Sequence, residues 1–235
     1  MNELAWLAML ALNFVFILIS FRLFGRMGLY AWVPLAAVVA NIQVVKLVEL
    51  FGITATLGNI VYASSFLVTD ILSELYGKKE ARKAVFIGLF SLVAMTALMN
   101  LALVFTPAPD DFAQESLATI FGFMPRIAGA SLIAYLLSQT HDVWAYDFWR
   151  SRFPSQGFLW LRNNASTMVS QFIDSTVFTL LAFAGVFPLG TLVEIFWTTY
   201  LLKWVVGAAD TPFIYIARHW FNQGKIPAQS GMDTV

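Results

Sequence analysis

Long hydrophobic runs alternate with short polar clusters along the whole of this chain. A helix needs about 20 mostly apolar residues to cross roughly 30 Å of hydrocarbon. By this measure the pattern predicts seven membrane-spanning helices, with approximate bounds 4–22, 29–50, 53–76, 84–105, 122–143, 165–187 and 191–217. The two longer connections, 106–121 and 144–164, are expected at the membrane surface, because the first contains an amphipathic stretch and the second is rich in tryptophan.

The composition fits a polytopic all-α membrane protein and excludes several other classes. Hydrophobic residues make up 59% of the chain and charged residues 12%, whereas soluble domains carry about 25% charged residues. A net charge of zero argues against nucleic acid as a partner. The chain has no cysteine and two histidines without helical spacing, so we expect no metal site and no cofactor. Motifs for catalysis and ATP hydrolysis are absent, so we do not expect an enzyme.

The basic residues of the predicted loops fall on one side of a seven-span chain. Of the 14 lysines and arginines, all but Lys46, Arg126 and Lys203 follow spans one, three, five and seven. The other side carries acidic residues such as Asp110 and Asp111. The positive-inside rule therefore predicts an N-terminus outside the cell and a cytoplasmic C-terminus.

Polar side chains follow one face of the predicted sixth span. They recur at helical spacing and comprise Asn163, Thr167, Ser170, Gln171 and Asp174. This face either forms hydrogen bonds to neighbouring helices or lines a solute cavity, and we favour the cavity because Gln171 together with Asp174 exceeds what helix packing needs. Lys203 in the seventh span either pairs with Asp174 or contacts the solute.

The second and fifth spans add further candidates. Asn41 and Gln43 are expected deep in the second span, where a polar side chain needs a partner or a role. Lys46 and Glu49 lie nearer its outer end and are expected to pair with each other or to reach the membrane surface. Arg126, at the outer end of the fifth span, either anchors to lipid headgroups or turns inward to steer a solute.

Two carboxylates lie one turn apart near the end of the third span. Glu74 either contacts the solute or pairs with Lys78 at i,i+4 on the helix surface. Asp70 is one turn further inside and has no nearby base in the sequence. Because a charged group at mid-bilayer costs about 2.5–3.5 kcal/mol on insertion scales, we assign Asp70 to function.

Five blocks of sequence in spans two, three, five, six and seven form a specific pattern. They are ANIQVVK over 40–46, SSFLVTDILSELYGKKEAR over 64–82, MPRIAGASLIAYLLSQTHDVWAYDFWR over 124–150, LWLRNNASTMVSQFIDSTVF over 159–178 and KWVVGAADTPFIYIARHW over 203–220. This pattern resembles the queuosine precursor transporters, once grouped with vitamin uptake transporters. The resemblance implies import of 7-deazaguanines (preQ0, preQ1 or queuine) across the inner membrane for tRNA modification.

The same resemblance implies a domain organisation. Residues 1–28 are expected to form an extra N-terminal transmembrane helix, residues 29–220 a six-helix core similar to the substrate-binding subunits of energy-coupling-factor importers, and residues 221–235 a polar cytoplasmic tail. Small residues at 129, 130 and 134 permit close helix packing, within one chain or between copies of it.

The implied cargo matches the polar groups inside the predicted spans. A 7-deazaguanine offers adjacent N–H donors to one carboxylate, further polar groups to amides, and a flat face to an aromatic ring. The candidate substrate-binding residues are Asn41, Gln43, Asp70, Glu74, Arg126, Gln171, Asp174 and Lys203. Two alternatives stay open: a substrate-binding subunit of an energy-coupled vitamin or base importer, and a membrane scaffold that transports nothing.

Overall fold

Long helices packed side by side form most of the protein. The computed structural model describes residues 1–43, 46–122, 125–185 and 188–227. The helices are α1 Asn2–Phe24, α2 Arg26–Gln43, α3 Gly58–Leu75, α4 Lys78–Ala102, α5 Gln114–Leu117, α6 Pro125–Arg152, α7 Leu159–Phe183, α8 Leu189–Ala209 and α9 Thr211–Asn222. Strands β1 Leu47–Leu50 and β2 Ile53–Thr56 pair antiparallel. A π-helical turn over Ala118–Gly122 follows α5, and a 3₁₀ turn over Gln156–Phe158 precedes α7.

The predicted junction between the second and third spans is wrong. We predict helix over 29–50 and 53–76, but a β-hairpin occupies 47–56 instead. Phe51 and Gly52 have φ of 53° and 77°, which is what a two-residue type I′ turn requires. Lys46 and Glu49 therefore belong to a turn and a strand, and the Asn2 side chain donates a hydrogen bond to the Glu49 carbonyl at 3.0 Å.

The predicted seventh span is also interrupted. Helix α8 ends at Ala209, Asp210 follows as a turn residue, and α9 begins at Thr211. Pro212 is tolerated in the first turn of α9, where its missing N–H costs no helical hydrogen bond. The break leaves the Asp210 carboxylate fully buried between helices.

Three stretches of the described residues are long and apolar enough to cross a membrane. They are Asn2–Phe24, Lys78–Ala102 and Leu192–Asn222. Helices α3, α6 and α7 carry many polar side chains, which lower their hydropathy although they lie inside the bundle. The chain is a helical membrane protein, and the count of seven spans stays a prediction.

Helix α3 lies at the centre of the bundle. Nearly all of its residues from Ile60 to Glu74 are buried, and it packs against α2, α4, α6 and α8. Phe14, Ile17 and Phe21 of α1 join the same hydrophobic core. The division at residue 28 stays a prediction, and the last eight residues of the predicted tail lie outside the described residues.

The bundle has two chemically different ends. At one end Arg26 pairs with Glu80 at 3.1 Å and Lys78 with Asp147 at 3.3 Å. We call this the basic end, and we call the end that carries the β-hairpin the opposite end. The bases that follow predicted spans one, three, five and seven thus meet at one end, as a single-sided charge pattern requires.

Candidate functional site

A column of polar side chains runs through the centre of the bundle from one end to the other. It is formed by α3, α6 and α7, whose polar residues recur every three or four positions and so lie on single helix faces. The polar column comprises Tyr62, Ser65, Thr69, Asp70 and Glu74 of α3, Ser138, Gln139, Asp142 and Tyr146 of α6, and Asn163, Ser166, Thr167, Ser170, Gln171 and Asp174 of α7. All of these except Tyr62 are buried.

A cavity of about 50 Å³ opens into the column towards the opposite end. Among the predicted site residues, Asn41, Asp174 and Lys203 line it. The other lining residues are Ala37, Ala40, Gly58, Asn59, Tyr62, Leu92, Ser131, Ala134, Tyr135 and Phe178. The cavity therefore has a carboxylate, an ammonium, amides and aromatic rings around one small space.

The Asp174 carboxylate is the best-connected group in this cavity. It forms an ion pair with Lys203, one of the two roles that the sequence leaves open for this lysine, and accepts a hydrogen bond from the Tyr62 hydroxyl. Ser138 donates a third hydrogen bond to its Oδ1 at 3.2 Å. The Lys203 Nζ also lies 4.9 Å from the centre of the Tyr62 ring, close enough for a cation–π contact. Helices α3, α6, α7 and α8 thus meet at one carboxylate.

Three further carboxylates lie in the middle of the column. Thr167 donates a hydrogen bond to Asp70 Oδ2 at 3.1 Å, which joins α7 to α3. Thr69 lies 3.3 Å from Asp142 Oδ2, and Asn163 donates to Asp210 Oδ1 at 2.5 Å. All three carboxylates are fully buried. The prediction that Asp70 lies deep in the protein without a local base agrees with this geometry.

Glu74 closes the column at the basic end. Its Oε1 accepts hydrogen bonds from Arg162, at 2.7 Å, and from Arg218, and its Oε2 accepts one from Tyr146 at 3.1 Å. Arg150 lies 3.9 Å from the same carboxylate. We call these five residues the Glu74 cluster, and it ties α3, α6, α7 and α9 together. An open cleft of about 570 Å³ lies beyond it.

The Glu74–Lys78 pair, one of two roles that the sequence leaves open for Glu74, does not form, and the expectation that Arg162 lies in a loop is wrong. Glu74 does not pair with Lys78, because Lys78 pairs with Asp147 while three arginines surround Glu74. Arg162, which we expect among the loop bases, is fully buried inside α7. It also donates hydrogen bonds to the carbonyls of Phe153 and Ser155 at 2.7 and 3.2 Å.

The remaining predicted site residues lie apart from the cavity lining. Gln171 is fully buried, and neither its amide nitrogen nor its oxygen has a partner among the described residues. Gln43 ends α2. The Arg126 guanidinium donates to the carbonyls of Leu181 and Ala184 at 2.7 and 2.5 Å. It therefore caps the end of α7 rather than turning towards a solute.

The sequence analysis missed most of the contribution of α6. Ser138, Gln139, Asp142 and Tyr146 follow helical spacing, which is the signal that identifies the stripe of the sixth span. The predicted fifth span ends at residue 143, and the residues after it are predicted at the membrane surface. The prediction therefore separates Tyr146 from the rest of the stripe. Helix α6 in fact continues to Arg152.

Metal binding is not supported by the described side chains. Among them, no group of three or more histidine, cysteine, aspartate or glutamate residues has an arrangement that could hold a metal ion.

Comparison with known proteins identifies the family. A family model described as "Putative vitamin uptake transporter" matches residues 56–217. A "Probable queuosine precursor transporter" of Bacillus subtilis (strain 168) is 47% identical over 217 residues, which cover 92% of this chain and 95% of that protein. The chain belongs to the queuosine precursor transporter family. The predicted resemblance is thus confirmed.

More distant members of the family come from two other bacteria. A "Probable queuosine precursor transporter" of Haemophilus influenzae is 26% identical and covers 67% of this chain and 65% of its own length. A "Queuosine precursor transporter" of Escherichia coli (strain K12) is 28% identical over 58% of both chains. No solved structure matches this chain. The names of these family members are those of transporters rather than enzymes.

Proposed function

We propose that this chain imports queuosine precursors, the 7-deazaguanines preQ0, preQ1 or queuine, across the bacterial inner membrane for tRNA modification. The observation that carries the proposal is the cavity around Asp174 and Lys203. Membership of the queuosine precursor transporter family supports the class of substrate. The proposed substrate-binding residues are those that line the cavity, with Asp174 as the principal contact.

The chemistry of the cavity supports this cargo. The guanine-like edge of a 7-deazaguanine presents two neighbouring N–H donors, which the two oxygens of Asp174 accept when Lys203 and Ser138 give way. Asn41 and Asn59 offer amide groups to the remaining carbonyl and ring nitrogen. Tyr62 and its neighbouring rings provide a face on which the flat heterocycle stacks.

The size of the cavity indicates that the structure represents a closed state. Pockets that hold small organic ligands measure about 300–1,000 Å³, whereas this cavity holds about 50 Å³. Substrate entry therefore requires α2, α3, α7 and α8 to separate at the opposite end. The Glu74 cluster then acts as the gate at the basic end, and transport alternates between opening one end and opening the other.

The topology we propose has seven spans, with the N-terminus outside and the C-terminus in the cytoplasm. The gathering of Arg26, Lys78 and the Glu74 cluster at the basic end supports it, because the positive-inside rule assigns such an end to the cytoplasm. The opposite end, with its cavity, then faces outwards. This direction suits uptake from the medium.

Uptake of labelled preQ1 and preQ0 by cells that cannot synthesise them tests the proposal. We expect uptake with the wild-type chain and a large loss with Asp174→Asn. Glu194→Gln is the matched control, since Glu194 is an exposed carboxylate on α8. Uptake no higher than with an empty vector would exclude this substrate class, and uptake that needs separate ATPase subunits would favour an energy-coupled importer.

A further inference from the structure

Asp70 and Asp142 face each other in the middle of the polar column. Both side chains are fully buried, the two carboxyl groups interact with each other, and the hydroxyl of Thr69, the residue before Asp70, lies 3.3 Å from Asp142 Oδ2. Asp70 Oδ2 accepts a hydrogen bond from Thr167, and Asp142 has the hydroxyls of Thr69, Ser166 and Ser170 around it. Each leaves its Oδ1 without a donor among the described residues. The contact between the two carboxyl groups therefore lacks one hydrogen, which a single shared proton would supply.

The surroundings of the pair do not neutralise it. Within the described residues, no lysine or arginine nitrogen lies within 4.0 Å of Asp70, Asp142 or Asp210. The charged and titratable groups nearest the pair are Asp210 after α8, Tyr146 of α6, His141 of α6 through Ser170, and Glu74 of α3 with Arg162 of α7 and Arg218 of α9. The nearest arginines thus bind Glu74, and Asp210 adds a further carboxylate whose Oδ2 also lacks a donor.

An organic solute, a metal ion and a proton are the ligands that this carboxyl pair could bind, and they differ in size. Neither the cavity around Asp174 nor the cleft beyond the Glu74 cluster is lined by Asp70 or Asp142, so an organic solute does not reach the pair in this state. The described residues also contain no group of three or more histidine, cysteine, aspartate or glutamate side chains that could hold a metal ion. A proton needs no cavity. Two buried carboxylates in contact cannot both stay ionised, and one proton between them supplies the missing donor.

We propose that Asp70 and Asp142 share one proton and form the coupling site through which proton movement drives transport. The coupling part of this proposal rests on the proposed function. With the proton bound, the pair holds α3 against α6. The proton enters from the outer side with the solute and leaves to the cytoplasm, after which two negative charges repel each other across that interface and the helices separate. Proton exchange and helix opening are thereby linked at one pair of side chains.

Infrared spectroscopy of the purified wild-type protein at neutral pH tests the shared proton. We expect the carbonyl-stretch band of a protonated carboxylic acid. Asp70→Asn or Asp142→Asn removes the same component of this band, because the new amide donates a hydrogen bond to the remaining carboxylate. The double variant removes no more than either single one. Asp147→Asn, a half-exposed position on the same helix α6, leaves the band unchanged.

Three outcomes would overturn the shared proton. They are absence of the band in the wild type, loss of the band in only one of the two single variants, and additive loss in the double variant. Should the aspartate variants not fold, Thr167→Val removes a single hydrogen bond to Asp70 and is expected to shift the band. Thr176→Val on the same helix, where the hydroxyl binds the Phe172 carbonyl, is the control. An unshifted band in Thr167→Val would count against the pair.

Proteoliposomes with a clamped membrane potential test the coupling. The probe is preQ0, which carries no ammonium group. At one proton per solute, a pH gradient of one unit drives about tenfold accumulation. We expect this in the wild type, and we expect Asp142→Asn to exchange preQ0 across the membrane without accumulating it.

The two parts of the proposal fail in different ways. A wild type that exchanges preQ0 but does not accumulate it along a pH gradient would overturn the coupling. A wild type that exchanges no preQ0 would overturn the proposed function and the coupling together. The infrared band decides the shared proton in both cases.

Discussion

The two ends of the polar column use buried ion pairs in opposite ways. At the basic end a single carboxylate, Glu74, is surrounded by three guanidinium groups and a tyrosine hydroxyl. At the opposite end Asp174 has one ammonium, from Lys203, and two hydroxyl groups. Both carboxylates join four helices, but Glu74 has three guanidinium partners, whereas Asp174 has one ammonium partner and lines a cavity.

In the proposed function, buried ion pairs have two uses. At Glu74 they hold the basic end of the bundle closed, and at Asp174 the ion pair gives way to the substrate. Arg162 is fully buried and holds two backbone carbonyls besides Glu74, so opening the cluster breaks several bonds at once. In the proposed function, Lys203 moves away from Asp174 and the N–H groups of the substrate replace its contact. We therefore expect substitutions at the basic end to reduce stability most and substitutions at the opposite end to reduce substrate binding most.

The largest effect is expected for Glu74→Gln. This change leaves the buried Arg162 without a carboxylate, and breaking a buried pair in this way costs about 3–5 kcal/mol. Thermal unfolding in detergent measures the loss. Asp147→Asn is the control at the same end, because the Lys78–Asp147 pair is 30% and 44% exposed and is worth about 0–1 kcal/mol. Equal losses in the two variants would show that the Glu74 cluster does not hold the helices together.

Asp174→Asn also leaves a buried base, Lys203, without its carboxylate and so lowers stability, but its decisive effect is expected on uptake. The amide still accepts a hydrogen bond from Tyr62 or Lys203 but no longer offers two anionic oxygens to the substrate. We expect the affinity for preQ1 to fall at least tenfold, or by about 1.4 kcal/mol. Binding to purified protein measures it, with Glu194→Gln alongside. Unchanged affinity would move the binding site away from this cavity.

Gly207→Ala tests how closely α8 must approach the column. A Cβ at this position would lie 2.9 Å from Cγ2 of Thr167, whose hydroxyl binds Asp70. Gly190→Ala on the same helix meets no atom within 4 Å and gains the same helix propensity. We expect Gly207→Ala to be less stable than Gly190→Ala by about 1–3 kcal/mol. Equal melting temperatures would show that α7 and α8 adjust freely.

The smallest effect is expected for Arg126→Ala. The loss of its hydrogen bonds to the Leu181 and Ala184 carbonyls lowers stability by about 1 kcal/mol, while the affinity for preQ1 stays the same. Arg82→Ala, at an exposed position in α4, gives the baseline for removing a surface charge. A clear loss of affinity with Arg126→Ala would restore the interpretation that this arginine steers the solute.

Periodicity within one helix is what the sequence predicts best. The stripe of α7 from Asn163 to Asp174 faces the interior of the bundle, although only Asp174 of it lines the cavity that we favour for this face, and the Asp174–Lys203 pair forms. Hydropathy alone fails at the hairpin, since a short apolar run cannot be assigned to helix or strand by hydrophobicity. The β-branched residues on both sides of Phe51 and Gly52 favour strands. The prediction of spans uses hydropathy and therefore assigns this stretch to helices.

The sequence by itself determined that this is a helical membrane protein of the queuosine precursor transporter family with polar helix faces and bases gathered at one end. Only the tertiary structure decided that Asp70 meets Asp142 and that Glu74 meets Arg162 and Arg218. The last of these pairs is separated by 144 residues. Helical spacing fixes which side chains share a face, but packing between distant helices decides what that face touches.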